Sequence, residues 1–145
     1  MQIVVKPFDA LTVQELHRIY VARVSVFVVE QQCPYQEVDD ADPVSIHIWL
    51  EDETGLLAYA RVLPAGTHFP EVSIGRVISL KRRCGYASRI LCEAIRVASE
   101  QFSATRITLE AQTYARELYE KVGFRPSSEE YLVDGIPHIR MDMEL

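Results

Sequence analysis

The stretch from Glu71 to Phe102 restricts what this chain can fold into more than any other part of it. Its first third is rich in β-branched and apolar residues, which is typical of a strand. Its last half repeats apolar residues at helical spacing, which predicts a helix with one apolar face. Between them the chain turns basic at residues 81–83 and then reaches Gly85. We predict a strand, a basic turn and a helix that begins near Tyr86.

A strand, a basic turn and a helix in this order can hold an anion. The first amide groups of a helix have no partner within it, and the helix dipole adds roughly half a positive charge at that end. Gly85 lets the main chain come close to a ligand, and Ala87 and Ser88 keep the first turn uncrowded. The pattern predicts a cup for phosphate oxygens, although a plain strand-to-helix turn with exposed arginines has the same appearance.

The spacing Arg82-x-x-Gly85-x-Ala87 resembles the R/Q-x-x-G-x-G/A pyrophosphate loop of the GNAT acyltransferases, which bind acetyl-coenzyme A. The resemblance extends over most of the chain in the family's order. Two further segments that carry it are ELYEKVGF at Glu117 to Phe124 and DGIPHIRM near the C-terminus. The run from Val26 to Asp42, together with His47, is similar to the ElaA-like branch of the family. The chain departs from the family where Arg83 replaces the usual glycine and where the link from Arg76 to Arg82 is short.

This resemblance implies an α/β (α+β) GNAT fold, with a mixed central β-sheet flanked by helices in a single domain over residues 1–145. It also implies an N-acetyltransferase, with acetyl-CoA as co-substrate and a primary amine of a small molecule or peptide as acceptor. The amine would attack the thioester directly. Two other interpretations are a non-catalytic acyl-coenzyme A sensor and a partner-binding module on the same fold.

The resemblance also implies which residues hold the cofactor. The main chain of Val77, Ile78 and Ser79 would pair with the pantetheine amides, and Gln112 stands where the family often has an asparagine that contacts the cofactor. The pyrophosphate would be held by the turn and the first helical turn, at Arg82, Arg83, Cys84, Gly85, Tyr86, Ala87 and Ser88.

Acyl transfer to an amine needs a base for the amine and an acid for the leaving thiolate. Tyr119 falls at the family's tyrosine, which implies that it protonates the thiolate; a core position is the other interpretation. Glu30 follows an apolar run, and desolvation at the edge of a core would raise its pKa toward that of a base. His47, His138 or a water ordered by Glu30 or His47 are further candidates, and each of these residues is also compatible with a structural role.

Composition excludes several classes of protein. With 145 residues, 48% hydrophobic and 25% charged, the chain is typical of one globular domain. It has neither an apolar run of membrane-spanning length nor a signal-peptide pattern, so we expect a cytoplasmic protein without membrane contact. The net charge of −6 argues against a nucleic-acid partner, and any anionic cofactor must rely on the local basic cluster. Three cysteines without a Cys-x-x-Cys pair indicate neither a disulfide framework nor a metal site.

The rest of the chain predicts helices and strands around this central unit. Thr12 and Glu15 form a capping-box pattern before a helix, and Asp134 with Gly135 predicts the turn of a final strand pair. An edge strand at the C-terminus would allow a homodimer. The apolar positions expected to form the core face of the first helix are Val13, Leu16, Tyr20, Val24 and Phe27.

The acidic run between Gln31 and Pro43 has two interpretations. Runs of charge are usually solvated loops. The functional alternative is a substrate-entry loop whose carboxylates attract an amine.

Overall fold

The computed structural model describes all 145 residues and contains two antiparallel sheets. The strands of the first sheet follow chain order: β1 (Gln2–Pro7), β2 (Ile46–Asp52), β3 (Gly55–Leu63) and β4 (Ser73–Ser79). In the second sheet β8 (Ile136–Glu144) pairs with β5 (Arg106–Gln112), β6 (Arg125–Pro126) and β7 (Tyr131–Val133). The predicted final strand pair is present, with its turn at Asp134 and Gly135.

Main-chain pairing joins the two sheets only where β4 and β5 begin. One parallel bridge links Val72 to Ile107, and the Thr108 N–H donates to the Val72 carbonyl at 3.0 Å. Beyond this bridge β4 pairs with β3 alone, and β5 pairs with β8 alone. The parallel neighbours therefore part toward their carboxyl ends, which is where ligands bind in sheets joined by a strand–helix–strand crossover.

The helices are α1 (Val13–Val24), which continues as a π-helical segment (Ser25–Glu30), α2 (Tyr86–Phe102) and α3 (Arg116–Lys121). The predicted capping box opens α1: Thr12 Oγ1 accepts from the Glu15 N–H at 3.1 Å, and Glu15 Oε1 accepts from the Thr12 N–H at 2.9 Å. The central helix α2 begins at Tyr86, as its sequence predicts. None of the helices is long and apolar enough to cross a membrane.

The main core lies between α2 and the inner faces of both sheets. Helix α2 buries Ile90, Leu91, Ala94, Val97 and Ala98 against strands on either side of the β4–β5 junction. A smaller cluster beneath α1 forms around Trp49 and Tyr59. Helix α2 thus covers one face of the β4–β5 junction. It does not fill the gap between the ends of the two strands.

The predicted core face of α1 was right only in part. Tyr20 and Phe27 pack against the smaller cluster, whereas Val13 is 80% exposed, and the buried positions are Ile19, Ala22, Arg23 and Val26. The buried face includes Arg23, whose guanidinium is paired with Glu37 and Asp42. An apolar stripe alone could not reveal a buried arginine.

Candidate active site

A cavity of about 290 Å³ lies in the gap between β4 and β5. One wall is β4 from Ser73 to Val77, the other contains Glu110 and Gln112 of β5, and α3 contributes Tyr119. The pairing of β3 with β4 contains a bulge, because Tyr59 pairs with Ile78 but Arg61 pairs with Gly75. Arg76, within the bulge, has a left-handed φ of 54°. Such a bulge turns the strand locally and changes where its main chain points, which is common beside functional sites.

The hydroxyl of Tyr119 opens on this cavity. The side chain is 8% exposed, and its ring meets Phe124 edge-on at 6.1 Å. The hydroxyl forms no hydrogen bond with a protein group. Its oxygen is nevertheless accessible and does not belong to the fully buried polar atoms that lack a partner. Burial raises the pKa of Tyr119 above its ordinary value, and the neighbouring Tyr114 adds to the rise. The cavity therefore contains a neutral phenol that is able to give a proton.

The loop before α2 has unpartnered amide groups. The N–H groups of residues 81–88 donate to no acceptor in the protein, and the first bond of the helix runs from the Arg89 N–H to the Gly85 carbonyl at 3.2 Å. Arg83 and Gly85 have left-handed φ angles of 63° and 74°, and Cys84 between them does not. When left-handed and right-handed main-chain conformations alternate, successive N–H groups point to the same side, as in anion-binding nests.

The free edge of β4 extends from this loop toward the bridge. The Leu80 N–H donates to the Leu57 carbonyl at 2.8 Å, and Ile78 lies opposite Tyr59. In an antiparallel pair every second residue faces the partner, so Ile78 also points its N–H and carbonyl into the sheet. The expected pantetheine contact by the main chain of Ile78 is therefore corrected. Val77 and Ser79 are the residues whose polar main-chain groups face the gap.

Gln112 lies on the cavity wall and is already paired. Its amide exchanges two hydrogen bonds with the Gln31 amide, at 3.0 and 3.1 Å. This pair joins β5 to the segment that follows α1. A cofactor contact by Gln112 would require one of these bonds to open.

Glu30 lies outside the cavity, at the end of the π-helical segment. Its side chain is 48% exposed, and its carboxylate accepts from Arg82 Nη2 at 2.7 Å. The expected desolvation at the edge of the core does not occur, so the reason for choosing Glu30 as a base is wrong. The ion pair instead sets a carboxylate beside the basic loop.

His47 is also absent from the cavity. It is fully buried on β2, where Nε2 donates to the Asp42 carbonyl at 3.0 Å and Nδ1 accepts from the Tyr59 hydroxyl at 2.7 Å. Burial lowers its pKa, which keeps the ring neutral. Both nitrogens are occupied, so the interpretation of His47 as a base for a substrate is corrected to a structural role.

Three of the four carboxylates of the acidic run turn inward, while Asp40 stays exposed. They form a largely buried network with arginines from three other elements, and the members are Arg23, Arg61, Arg76, Glu37, Asp39 and Asp42. Arg23 is fully buried between Glu37 and Asp42, at 2.7 Å from each. Burial raises the pKa of Asp39, but the hydrogen bond and charge of Arg61 outweigh it and lower the value to about 2.

This network went unpredicted, and it overturns the solvated-loop interpretation of the run. Its signal was present in the sequence: Arg23, Arg61 and Arg76 each interrupt an apolar run. A buried arginine requires acidic partners. Three charges of each sign make the network neutral as a whole.

Solved structures resemble the whole chain. An acyl-CoA N-acyltransferase from Pseudomonas aeruginosa superimposes with a TM-score of 0.90 at 37% sequence identity, over 99% of each chain. Escherichia coli ElaA superimposes with a TM-score of 0.91 at 32% identity, again over 99% of each chain. The chain therefore has the fold of these N-acyltransferase structures, and the predicted fold class is confirmed.

The sequence comparisons give the family. The model of the acetyltransferase (GNAT) domain matches residues 13–145. A UPF0039 protein of Schizosaccharomyces pombe is 42% identical, with 100% of this chain and 98% of that protein aligned. The chain belongs to the GNAT acetyltransferase family, and the resemblance to its ElaA-like branch is confirmed.

Proposed function

We propose that this protein transfers the acetyl group of acetyl-CoA to a primary amine of a small molecule or peptide. One observation carries the proposal: the Tyr119 hydroxyl opens on the same gap that lies beside the free edge of β4, and the loop with unpartnered amides follows that strand. A cofactor anchored at the loop would extend its pantetheine arm along β4 toward the phenol.

The charges near the loop support an anionic cofactor despite the net charge of −6. Lys81, Arg82, Arg83 and Arg89 lie in or beside the segment with free amides. The pyrophosphate would be held by amides of residues 83–88, with the helix dipole adding to their field. It would also compete with Glu30 for the guanidinium of Arg82.

The pantetheine arm would form the next strand of the first sheet. Val77 and Ser79 have main-chain groups that face the gap, and an extended amide chain can pair with such an edge. The β4 bulge at Arg76 lies at the end of this edge, beside the cavity. A thioester at that level would lie within the space shared with Tyr119.

The chemistry needs no covalent enzyme intermediate. A neutral amine attacks the thioester carbon, the C–N bond forms, and the C–S bond of the tetrahedral intermediate breaks. The Tyr119 phenol gives its proton to the leaving sulfur, and the proton that the new amide nitrogen loses restores the phenol. The raised pKa of Tyr119 keeps the phenolic proton in place until the thiolate appears.

The test is Tyr119→Phe, measured by thiol release from acetyl-CoA with a panel of primary amines and by calorimetry with acetyl-CoA. We expect turnover to fall roughly ten- to a hundredfold, because a general acid is lost, while the dissociation constant stays within about twofold. Tyr20→Phe is the control, since it removes a hydroxyl from a half-buried tyrosine outside the cavity. Unchanged turnover in Tyr119→Phe would remove the phenol from the mechanism. Failure to bind acetyl-CoA would refute the whole proposal, and binding without turnover of any amine would favour an acyl-coenzyme A sensor.

A further inference from the structure

The second sheet contributes a polar group of side chains to the cavity wall. In the β5–β8 register Gln112 lies opposite His138 and Glu110 lies opposite Arg140, so Glu110 and His138 are diagonal neighbours on one face. Tyr131 of β7 lies opposite His138, and Asp134 forms the turn between β7 and β8. Both Glu110 and His138 line the cavity that Tyr119 also lines.

The contacts of His138 fix which of its nitrogens can act as a base. Nδ1 lies 2.7 Å from the Ile136 carbonyl, and a carbonyl only accepts hydrogen bonds. Nδ1 therefore holds the proton of the neutral ring, and Nε2 has the lone pair. Nε2 has no hydrogen-bond partner in the protein. The ring is held in one tautomer by its own strand, with its basic nitrogen unoccupied.

Glu110 is suited to a different task. Its carboxylate accepts from the Tyr131 hydroxyl at 2.7 Å, and His68 Nε2 approaches its other oxygen at 3.5 Å. The contact with His68 lowers the pKa of Glu110 most, burial opposes this effect, and the hydrogen bond from Tyr131 lowers the pKa further. The group therefore stays ionised, which makes it a poor base and a good partner for an ammonium ion.

The net negative charge of the cavity wall comes from the second sheet and its β7–β8 turn. Asp39, Arg61 and Arg76 also line the cavity, but they belong to the neutral network of three arginines and three carboxylates. The carboxylates that remain on the wall are Glu110 and Asp134. The groups that surround His138 are accordingly Glu110, Tyr131, Asp134, Gln112, Arg140 and, beside Glu110, His68.

We infer that His138 is the general base of the reaction, and that Glu110 with Asp134 binds the ammonium group of a small cationic alkylamine. This inference rests on the proposed function and adds its base and its acceptor class. A cavity of about 290 Å³ limits the part of the acceptor that enters to a small one.

With His138 as base and Tyr119 as acid, every proton in the reaction is accounted for. The bound ammonium gives one proton to His138 Nε2, and the neutral nitrogen then attacks the thioester carbon. As the C–S bond breaks, Tyr119 protonates the sulfur, and the second proton of the new amide nitrogen returns the phenolate to phenol. His138 releases its proton to solvent. The net reaction consumes an ammonium ion and acetyl-CoA and yields an amide, coenzyme A and one proton.

The test is His138→Gln in the full chain, with spermidine, a lysine-containing peptide and an aminoglycoside as acceptors. We expect kcat/KM for the best acceptor to fall about a hundredfold or more, as for a lost general base, with unchanged affinity for acetyl-CoA. The acidic limb of the wild-type profile of kcat/KM against pH should disappear. In His138→Ala, added imidazole should restore part of the rate, which a structural role would not allow. His17→Gln, at an exposed position of α1, is the matched control.

A second measurement needs no acceptor. The ¹⁵N shifts of the His138 ring in the wild-type protein should show a protonated Nδ1 and a bare Nε2. Predominance of the other tautomer, or an unaltered pH profile in His138→Gln, would overturn the role of His138 while leaving the proposed function intact. Acetyl-CoA binding without transfer to any of the three amines in the wild type would instead overturn the proposed function, and the base with it.

Discussion

Both ring nitrogens of His47 are occupied inside the first sheet, whereas His138 lines the cavity and keeps one ring nitrogen without a partner in the protein. Sequence patterns treat the two residues alike, because each is a histidine on a strand next to apolar neighbours. The difference arises from the Tyr59 hydroxyl and the Asp42 carbonyl, which reach His47 from a neighbouring strand and from the acidic run. Local sequence spacing does not show that these two groups converge on the ring, because their positions depend on the hairpin register and on the path of the acidic run.

The buried His47 should make stability depend on pH. Its pKa is lowered in the folded protein from an unfolded value of 6.5, mainly by burial. Below pH 6.5 the unfolded chain therefore binds a proton that the native ring does not, so the free energy of unfolding should fall as pH decreases. The slope from this group reaches at most about 1.4 kcal/mol per pH unit. Urea unfolding between pH 5 and 8 measures it.

In His47→Gln that slope should be smaller, because glutamine does not titrate, even if the variant is less stable at every pH. His17→Gln removes an exposed histidine and should leave the slope unchanged. Asp39 does not interfere, since its stabilisation is lost only as pH falls from the unfolded value of 3.8 toward about 2. An identical pH dependence in the wild type and His47→Gln would contradict the neutral buried ring.

At the scale of elements, the buried network decides how the chain after α1 is held. The acidic run has little regular structure, yet its carboxylates reach Arg23 of α1, Arg61 of β3 and Arg76 of β4. These contacts fasten the run against the first sheet beside the cavity. The network therefore substitutes for an apolar core under this part of the chain, and it depends on every charge having a partner.

Arg23→Met should be strongly destabilising. The substitution leaves Glu37 and Asp42 buried beside one remaining arginine each, and loss of one partner of a buried pair typically costs about 3–5 kcal/mol. Urea unfolding at neutral pH gives the free energy. Arg18→Met is the control, because Arg18 is paired with Glu51 near the surface at 3.6 Å, and such pairs contribute about 1 kcal/mol or less. Equal losses in the two variants would show that burial of the network adds nothing.

Elements with a local cause were predictable from sequence. The turn at residues 81–85, the start of α2 at Tyr86 and the capping box at Thr12 depend on neighbouring residues, and all three are present. The buried face of α1 and the burial of the acidic run depend on ion pairs between residues far apart in sequence, such as Arg61 with Asp39 and Arg76 with Glu37. The face of α1 was therefore predicted only in part, and the solvated-loop interpretation of the run was wrong. At the site, the cavity position of Tyr119 followed from the family pattern, while the exclusion of Glu30 and His47 followed only from tertiary contacts.

At the scale of the whole molecule, the gap exists because the two sheets are joined by a single bridge. The parallel contact between Val72 and Ile107 fixes where β4 and β5 begin, and different partners on either side draw the strands apart. The edge of β4 is left with unpaired main-chain groups in the middle of the molecule rather than at its rim. An extended ligand that filled the gap would complete hydrogen bonding across both sheets.

Hydrogen exchange of individual amides can test whether a ligand pairs with the free edge of β4. In the free protein the Val77 and Ser79 amides face the gap and should exchange rapidly, whereas Ile78 and Leu80 donate to β3 and should exchange slowly. Saturating acetyl-CoA should slow Val77 and Ser79 by about tenfold or more, because an extended amide chain pairs with that edge. Adenosine diphosphate, which has a pyrophosphate but no pantetheine arm, should protect the amides of residues 83–88 and leave Val77 and Ser79 fast. Because β4 has β3 as its only strand neighbour, slowed exchange of Val77 and Ser79 would come from pairing with the ligand. Rapid exchange of both amides in the acetyl-CoA complex would contradict that pairing.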